Sequence, residues 1–217
     1  MILHYKKDKI KKLDRFYRAN LINSIVGIKQ ASLVGTLSSK RTTNLAIFSS
    51  GIHLGSNPAL IGIFSRPNTK HPKQTMENIL LNKKFTINHV NLDTLKKSHA
   101  TSYKFNKFIS EFSECSLKEK YIENFDAPFL NESEISIGLD YLNDYKIIEN
   151  GVVMIIGEVK HIIIKNSNHL QENGEINFES SKSVGVSGNN TYYEIKKNNT
   201  LDYVSSTKKF DSEKLLD

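Results

Sequence analysis

Residues 41–66 read Arg41-Thr-Thr-Asn-Leu-Ala-Ile-Phe-Ser-Ser-Gly-Ile-His-Leu-Gly-Ser-Asn-Pro-Ala-Leu-Ile-Gly-Ile-Phe-Ser-Arg66. Two short apolar runs, Asn44 to Ser50 and Ala59 to Phe64, each fit a strand. Gly55-Ser56-Asn57-Pro58 between them is a strong turn signal. Working outward, Ser32 to Leu37 reads as a preceding strand and Phe85 to Val90 as a following one. Gln74 to Asn82 reads as a short helix with Met76, Ile79 and Leu80 inward and Thr75 near its N-cap. Val152 to Lys165 reads as a strand pair, with Gly157 marking a bulge or a close backbone approach. Ser133 to Leu142 and Lys146 to Glu149 add short strands, and Asn173-Gly174 a turn. Many short strands with few helices between them argue for a mainly β, antiparallel barrel rather than a parallel α/β sheet.

At 217 residues the chain is expected to form a single domain, 1–217, able to bury a core without covalent staples. Lys6 to Arg18 is dense in positive charge, with Ile10, Leu13 and Phe16 at three-residue spacing, so residues 1–20 read as a basic N-terminal helix. Residues 95–130 read as a polar helical or loop insertion, and 196–217 as a polar C-terminal arm.

The formal net charge is +7, and of the 30 basic residues only Arg15, Arg18, Arg41 and Arg66 are arginines. A nucleic-acid surface generally uses arginine as well as lysine, so the excess reads as compositional and no nucleic-acid partner is expected. Cys115 is the only cysteine, which excludes an internal disulfide or a multi-cysteine metal site within one chain. The N-terminus has charge but no apolar segment behind it, and no run approaches the about 20 apolar residues of a membrane helix. A cytoplasmic protein with no membrane partner is the expectation.

Several chemistries lack their residues. There is no GxGxxG or GxxxxGK[ST] nucleotide loop, no GxSxG elbow, and no zinc-protease helix among the seven histidines. Phosphate binding without such loops needs hydroxyls, backbone amides and one or two cations. Ser65-Arg66, Thr69, Lys73 and Thr75 supply them within eleven residues, though such clusters are also common in ordinary loops. His53 and His99 read more simply as loop histidines, and Cys115 has no basic neighbour to activate it.

An ordered set of segments resembles a known family. It comprises Asn44 to Ser50, Asn57-Pro58-Ala59-Leu60, Arg66-Pro67, Thr75 with Asn78-Ile79, and Phe85-Thr86-Ile87-Asn88. Ser110-Glu111-Phe112, Ala127-Pro128-Phe129, Ile155-Ile156-Gly157-Glu158-Val159, and Gly188 followed by Tyr192-Tyr193 continue it. Together they resemble the flavin reductase-like, FMN-binding split-barrel proteins, closer to the flavoredoxin-type branch than to the small partners of two-component monooxygenases. The resemblance implies an antiparallel split barrel of Greek-key type, a homodimer with FMN at the subunit interface, and NADH or NADPH as hydride donor. It places the isoalloxazine edge at Asn44, Leu45, Ala46, Ser49 and Ser50, and the phosphate at Arg66, Thr69, Lys73 and Thr75. It implies no catalytic acid or base and no metal. One departure stands out: many reductases carry a His ahead of the late-strand glycine, where this chain has Met154.

Overall fold

The computed structural model describes residues 2–67 and 73–201. The basic N-terminal segment forms two helices rather than one, α1 (Lys7–Lys12) and α2 (Arg15–Ser24). The break follows from Asp14, whose carboxylate accepts from the Phe16 and Tyr17 amides at 2.8 and 3.0 Å and so starts a new helix. Arg18 donates to the Lys11 carbonyl at 2.8 Å and holds the two helices at that corner.

The strands that follow are β1 (Lys29–Gln30), β2 (Ser32–Leu37), β3 (Thr43–Phe48), β4 (Ile52–Ser56) and β5 (Ala59–Ser65). Helix α3 (Gln74–Asn82) leads into β6 (Lys84–His89). Two short helices, α4 (Leu95–Ala100) and α5 (Glu111–Glu114), precede β7 (Glu119–Ile122) and β8 (Phe125–Leu130). The long strands β9 (Ile135–Lys146) and β10 (Val153–Ile164) come next, and β11 (Val184–Ser187) and β12 (Thr191–Glu194) close the described chain.

Seven strands form one antiparallel sheet in the order β3-β2-β6-β9-β10-β5-β4. All six residues of β2 are buried because the sheet is covered on both faces. Leu33 joins a cluster with Leu45, Val90, Phe112, Leu130 and Val184. Its neighbour Val34 points the other way, into a cluster with Ile63, Ile79, Phe85, Leu139 and Ile155. The sheet is curled: Ser50, two residues past β3, accepts from the Phe64 amide at 3.1 Å and sits 3.2 Å from the Phe64 carbonyl in β5. Only residues 49–51 separate β3 from β4, the two ends of the strand order, so the curl brings those ends together.

The expected helix Gln74–Asn82 and strand Ser32–Leu37 form with those bounds. Other expectations are corrected. The two short strands expected between Ser133 and Glu149 are one twelve-residue strand, β9. The expected pair between Val152 and Lys165 is also one strand, because β10 bonds β9 on one side and β5 on the other. Gly157 does lie at a register shift against β9. A side chain there would meet the Phe85 ring at 2.6 Å. Residues 95–130 contain the β7–β8 hairpin, whose Phe125, Ala127 and Phe129 form their own buried cluster. Residues 202–217 of the expected C-terminal arm lie outside the described residues. No helix among the described residues is long and apolar enough to cross a membrane.

Candidate functional site

The residues expected to hold a cofactor lie on β3, the end of β5 and the start of α3. Strand β3 is an edge strand, bonded to β2 alone within its sheet. Alternation sends Leu45 into the core, fully buried, while Asn44 points to the opposite face. There the Asn44 amide donates to the Thr75 hydroxyl at 3.2 Å. This bond spans 31 residues of sequence and joins the segment expected at the flavin ring to the segment expected at the phosphate. Behind it, Asn78 donates to Thr36 at 3.1 Å, and Asn82 donates to the Leu37 carbonyl. Three α3 side chains therefore dock this helix onto the β2–β3 hairpin.

Thr75 is not the N-cap. The cap position is Lys73, and Thr75 is the second helical residue, buried with its oxygen turned to Asn44. No side chain caps α3 among the described residues, so its first-turn amides are not satisfied in that way. Lys73 is half-buried at this end, and Arg66 is exposed just after β5. Thr69 lies outside the described residues.

Ser49 and Ala46 are half-buried on and just after β3. Ser50 spends its hydroxyl on the β5 backbone at Phe64, in line with the β4–β5 pairing. Leu45 offers no side chain to this face, and its amide is already taken: it donates to the Glu111 carboxylate at 2.9 Å. Of the apolar side chains near this face, Ile63 is fully buried in the core, whereas Phe48 and Phe64 are half-buried.

Glu111, with Phe112, is expected from the sequence to anchor a lid or a dimer contact rather than to act chemically; here it holds a strand. It opens α5, whose N-cap Ser110 accepts from Phe112. It is 5% exposed, and burial pushes its carboxyl above the usual range, opposed by the bond from Leu45. Beside it, Thr43 lies 2.6 Å from the Ser110 hydroxyl and donates to Glu119 at 2.5 Å. Two acidic side chains thus hold the outer side of β3. The sequence signal was present in Ser110-Glu111-Phe112, a cap followed by an acid and an aromatic, but its target is 66 residues away.

His53 is exposed on β4. His99 lies 2.8 Å from the Tyr192 hydroxyl. His169 is buried between Ser180 and Glu134. Burial raises the Cys115 thiol, so it is not an activated nucleophile. No cluster of metal-ligating side chains occurs among the described residues. Two surface depressions, one around Phe178 and Ile195 and one around Tyr121 and Phe125, do not involve the Asn44–Thr75 seam.

The family model for the flavin reductase like domain matches residues 28–178, from β1 to beyond β10. The chain belongs to the flavin reductase-like family. A Shewanella frigidimarina NCIMB 400 protein, provisionally described as a flavin reductase with a split-barrel domain, is 37% identical with a TM-score of 0.89; the match covers 93% of this chain and all of that one. Nitrilotriacetate monooxygenase component B from Bacillus cereus is 17% identical, with a TM-score of 0.81 over 93% of this chain and 99% of its own. Flavoredoxin of Desulfovibrio vulgaris (Miyazaki F) is 18% identical, with a TM-score of 0.69 over 83% of this chain and 93% of its own. The last two show the fold alone. This flavin reductase-like chain is therefore a split β-barrel protein with a flavin-related oxidoreductase function, as the ordered sequence segments implied.

Proposed function

We propose that this chain is an FMN-dependent oxidoreductase, a NAD(P)H:flavin reductase, acting as a homodimer in the cytoplasm with FMN at the subunit interface. The observation that carries this reading is the buried Asn44–Thr75 hydrogen bond, which joins the edge strand β3 to the start of α3. Family membership supports a flavin as ligand.

The residues present fit the group. Asn44, Ser49, Arg66, Lys73 and Thr75 bring amide, hydroxyl and cationic groups and no carboxylate, while Ser50, its hydroxyl spent on Phe64, holds the chain beside them. The Asn44–Thr75 bond uses the Thr75 oxygen as acceptor, which leaves the hydroxyl proton to donate to a phosphate oxygen. The α3 amides and helix dipole favour an anion at the same place, with Lys73 and Arg66 as its cations. Asn44 retains its carbonyl oxygen and a second amide proton for the polar edge of a flavin ring. Glu111 holds the Leu45 amide, so the strand carrying Asn44 and Ala46 keeps one position.

When bound, FMN would supply the redox chemistry, as acceptor of the hydride from nicotinamide C4 at flavin N5. Such a transfer needs alignment more than it needs an acid or base. The protein's work is to bind, orient and exclude water, which suits a site whose polar side chains are held by other side chains rather than by ionised catalytic groups.

The test is an anaerobic titration of purified protein with FMN and then NADH or NADPH. Binding of FMN followed by loss of the oxidised-flavin absorbance is the expected result. FMN bound but unbleached by either nucleotide would leave an FMN-binding electron-transfer or sensing protein instead. No FMN binding at micromolar protein would reject the cofactor assignment itself.

A further inference from the structure

The N-terminal helices leave much of their apolar surface uncovered. Neither α1 nor α2 contains a buried residue. Yet Phe16 is 71% exposed, Ile25 75% and Val26 70%, with Ile22 and Ile28 also open to solvent. An apolar group of this size on one short arm marks an interaction surface. The arm is tied to its own body by few polar contacts, among them Asn189 to Asn20 at 2.8 Å and the two-residue strand β1 beside β11. Charge is concentrated here as well. Residues 2–29 hold eight basic residues against Asp8 and Asp14, six of the seven net positive charges of the chain.

The surface that meets this arm must expose apolar groups without adding cations. The patch at Tyr103, Phe108 and Ile109 fails, because Lys40 and Lys107 lie over the Phe108 ring and Lys104 is adjacent. Ile162 fails for the same reason, flanked in sequence by Lys160 and Lys165. The tip of the β9–β10 hairpin fits. Leu142, Tyr145 and Ile148 are exposed there, Ile148 at 89%. Asp140 at the base is paired with Lys84 at 2.7 Å, and Lys83 lies over the Tyr141 ring there, but the tip beyond, residues 142–151, carries Asp144 and Glu149 against a single Lys146. An anionic membrane would accept the arm but not this hairpin. One partner covers both surfaces at once: a second copy of this chain.

We propose that the basic N-terminal arm, α1 with α2, docks on the β9–β10 hairpin tip of a second copy, reciprocally across the dimer. The hairpin tip adjoins the candidate site, since a side chain at Gly151 would lie 3.5 Å from Pro67, the residue after Arg66. The docked arm therefore covers the Arg66 end of the partner's site and brings cations to the approach of an anionic ligand. This rests on the homodimer of the proposed function and adds which surfaces meet.

The test uses full-length protein with a benzophenone amino acid at position 16, in a dimer mixed from unlabelled and nitrogen-15-labelled chains. Light scattering first gives the mass. Irradiation is expected to link position 16 of one copy to residues 140–151 of the other, and peptide masses with mixed labels identify the link as intermolecular. Asp144→Lys with Glu149→Lys is expected to cut the yield several-fold at low salt, and less at high salt. A monomer in the light-scattering measurement overturns both the dimer and the arm docking. A dimer whose links are intrachain, or fall elsewhere on the partner, overturns the arm docking alone. Loss of the hairpin link when phosphatidylserine vesicles are added would also overturn it, in favour of a lipid surface.

Discussion

The amide of Asn44 donates to the hydroxyl of Thr75 at 3.2 Å, inside the protein, across an edge strand and the first turn of a helix. Removing either partner changes two things at once: the docking of α3 on β3 and the donor set facing the candidate phosphate position. Thr75→Val keeps the shape and removes the hydroxyl. It is expected to weaken FMN binding about tenfold or more, a loss of about 1.4 kcal/mol, while stability falls by only about 1 kcal/mol. Fluorescence titration of FMN with the variant beside a urea melt separates the two. Unchanged FMN affinity would remove Thr75 from the site.

Glu111 supports β3 from the opposite side. Glu111→Ala leaves the Leu45 amide without its acceptor and is expected to cost about 1–3 kcal/mol in urea denaturation. Glu111→Gln keeps an acceptor oxygen and is expected to cost far less.

The same residue predicts a pH effect with a definite sign. Burial raises its folded carboxyl value above that of the unfolded chain. The folded state therefore binds the proton more tightly, and stability from this group falls as pH rises between the two values. Glu111→Gln removes that slope. Its stability relative to the parent should improve from acid toward neutral pH, and a constant difference across that window would contradict the assignment.

His89 acts in the opposite direction. Burial lowers its imidazole to about 4, with Ser183 at 3.3 Å and the Phe178 ring stacked nearby. The unfolded chain binds this proton more tightly, so stability is complete above about pH 6.5 and falls as the pH drops toward the folded value. The loss is of order 1–3 kcal/mol, and His89→Gln is expected to flatten it in melts taken between these pH values.

Gly35 is the position where β2 meets β8 most closely. A methyl group there would overlap the Pro128 carbonyl oxygen and approach the Thr86 hydroxyl, which itself donates to that carbonyl. Backbone cannot swing aside as a side-chain tip can, so Gly35→Ala is expected to destabilise by about 1–3 kcal/mol or more. Gly157→Ala presses instead on the Phe85 ring and Leu139, and Phe85→Leu should recover part of its loss. Equal stability of the Gly35→Ala protein and the parent would refute the close packing.

Much of the architecture is readable where the pattern is local. Ser32–Leu37 and Gln74–Asn82 announce themselves because their apolar spacing is carried by neighbouring residues. Strand β4 did not, because its exposed residues show no buried face and it is ordered by pairing with β5. The short strands β11 and β12 were missed for a similar reason: each has four residues and depends on its neighbours across the sheet. The single-helix reading of the N-terminus missed Asp14, whose capping effect outweighs the continuous apolar spacing around it.

The candidate site divides in the same way. Its residue types, the absence of nucleotide-loop and metal motifs, and the ordered segments of the family are all properties of the linear chain. Which of those residues meet is not. The approach of Asn44 to Thr75, of Leu45 to Glu111 and of Ser50 to Phe64 depends on strand order, register and the curl of the sheet. A hydrogen bond acts over about 3 Å, whereas these partners stand 31, 66 and 14 residues apart in the chain. Local pattern therefore chose the elements and the chemistry on offer. Only the folded sheet brought the amide of β3 against the hydroxyl of α3 and turned Leu45, its neighbour, into core.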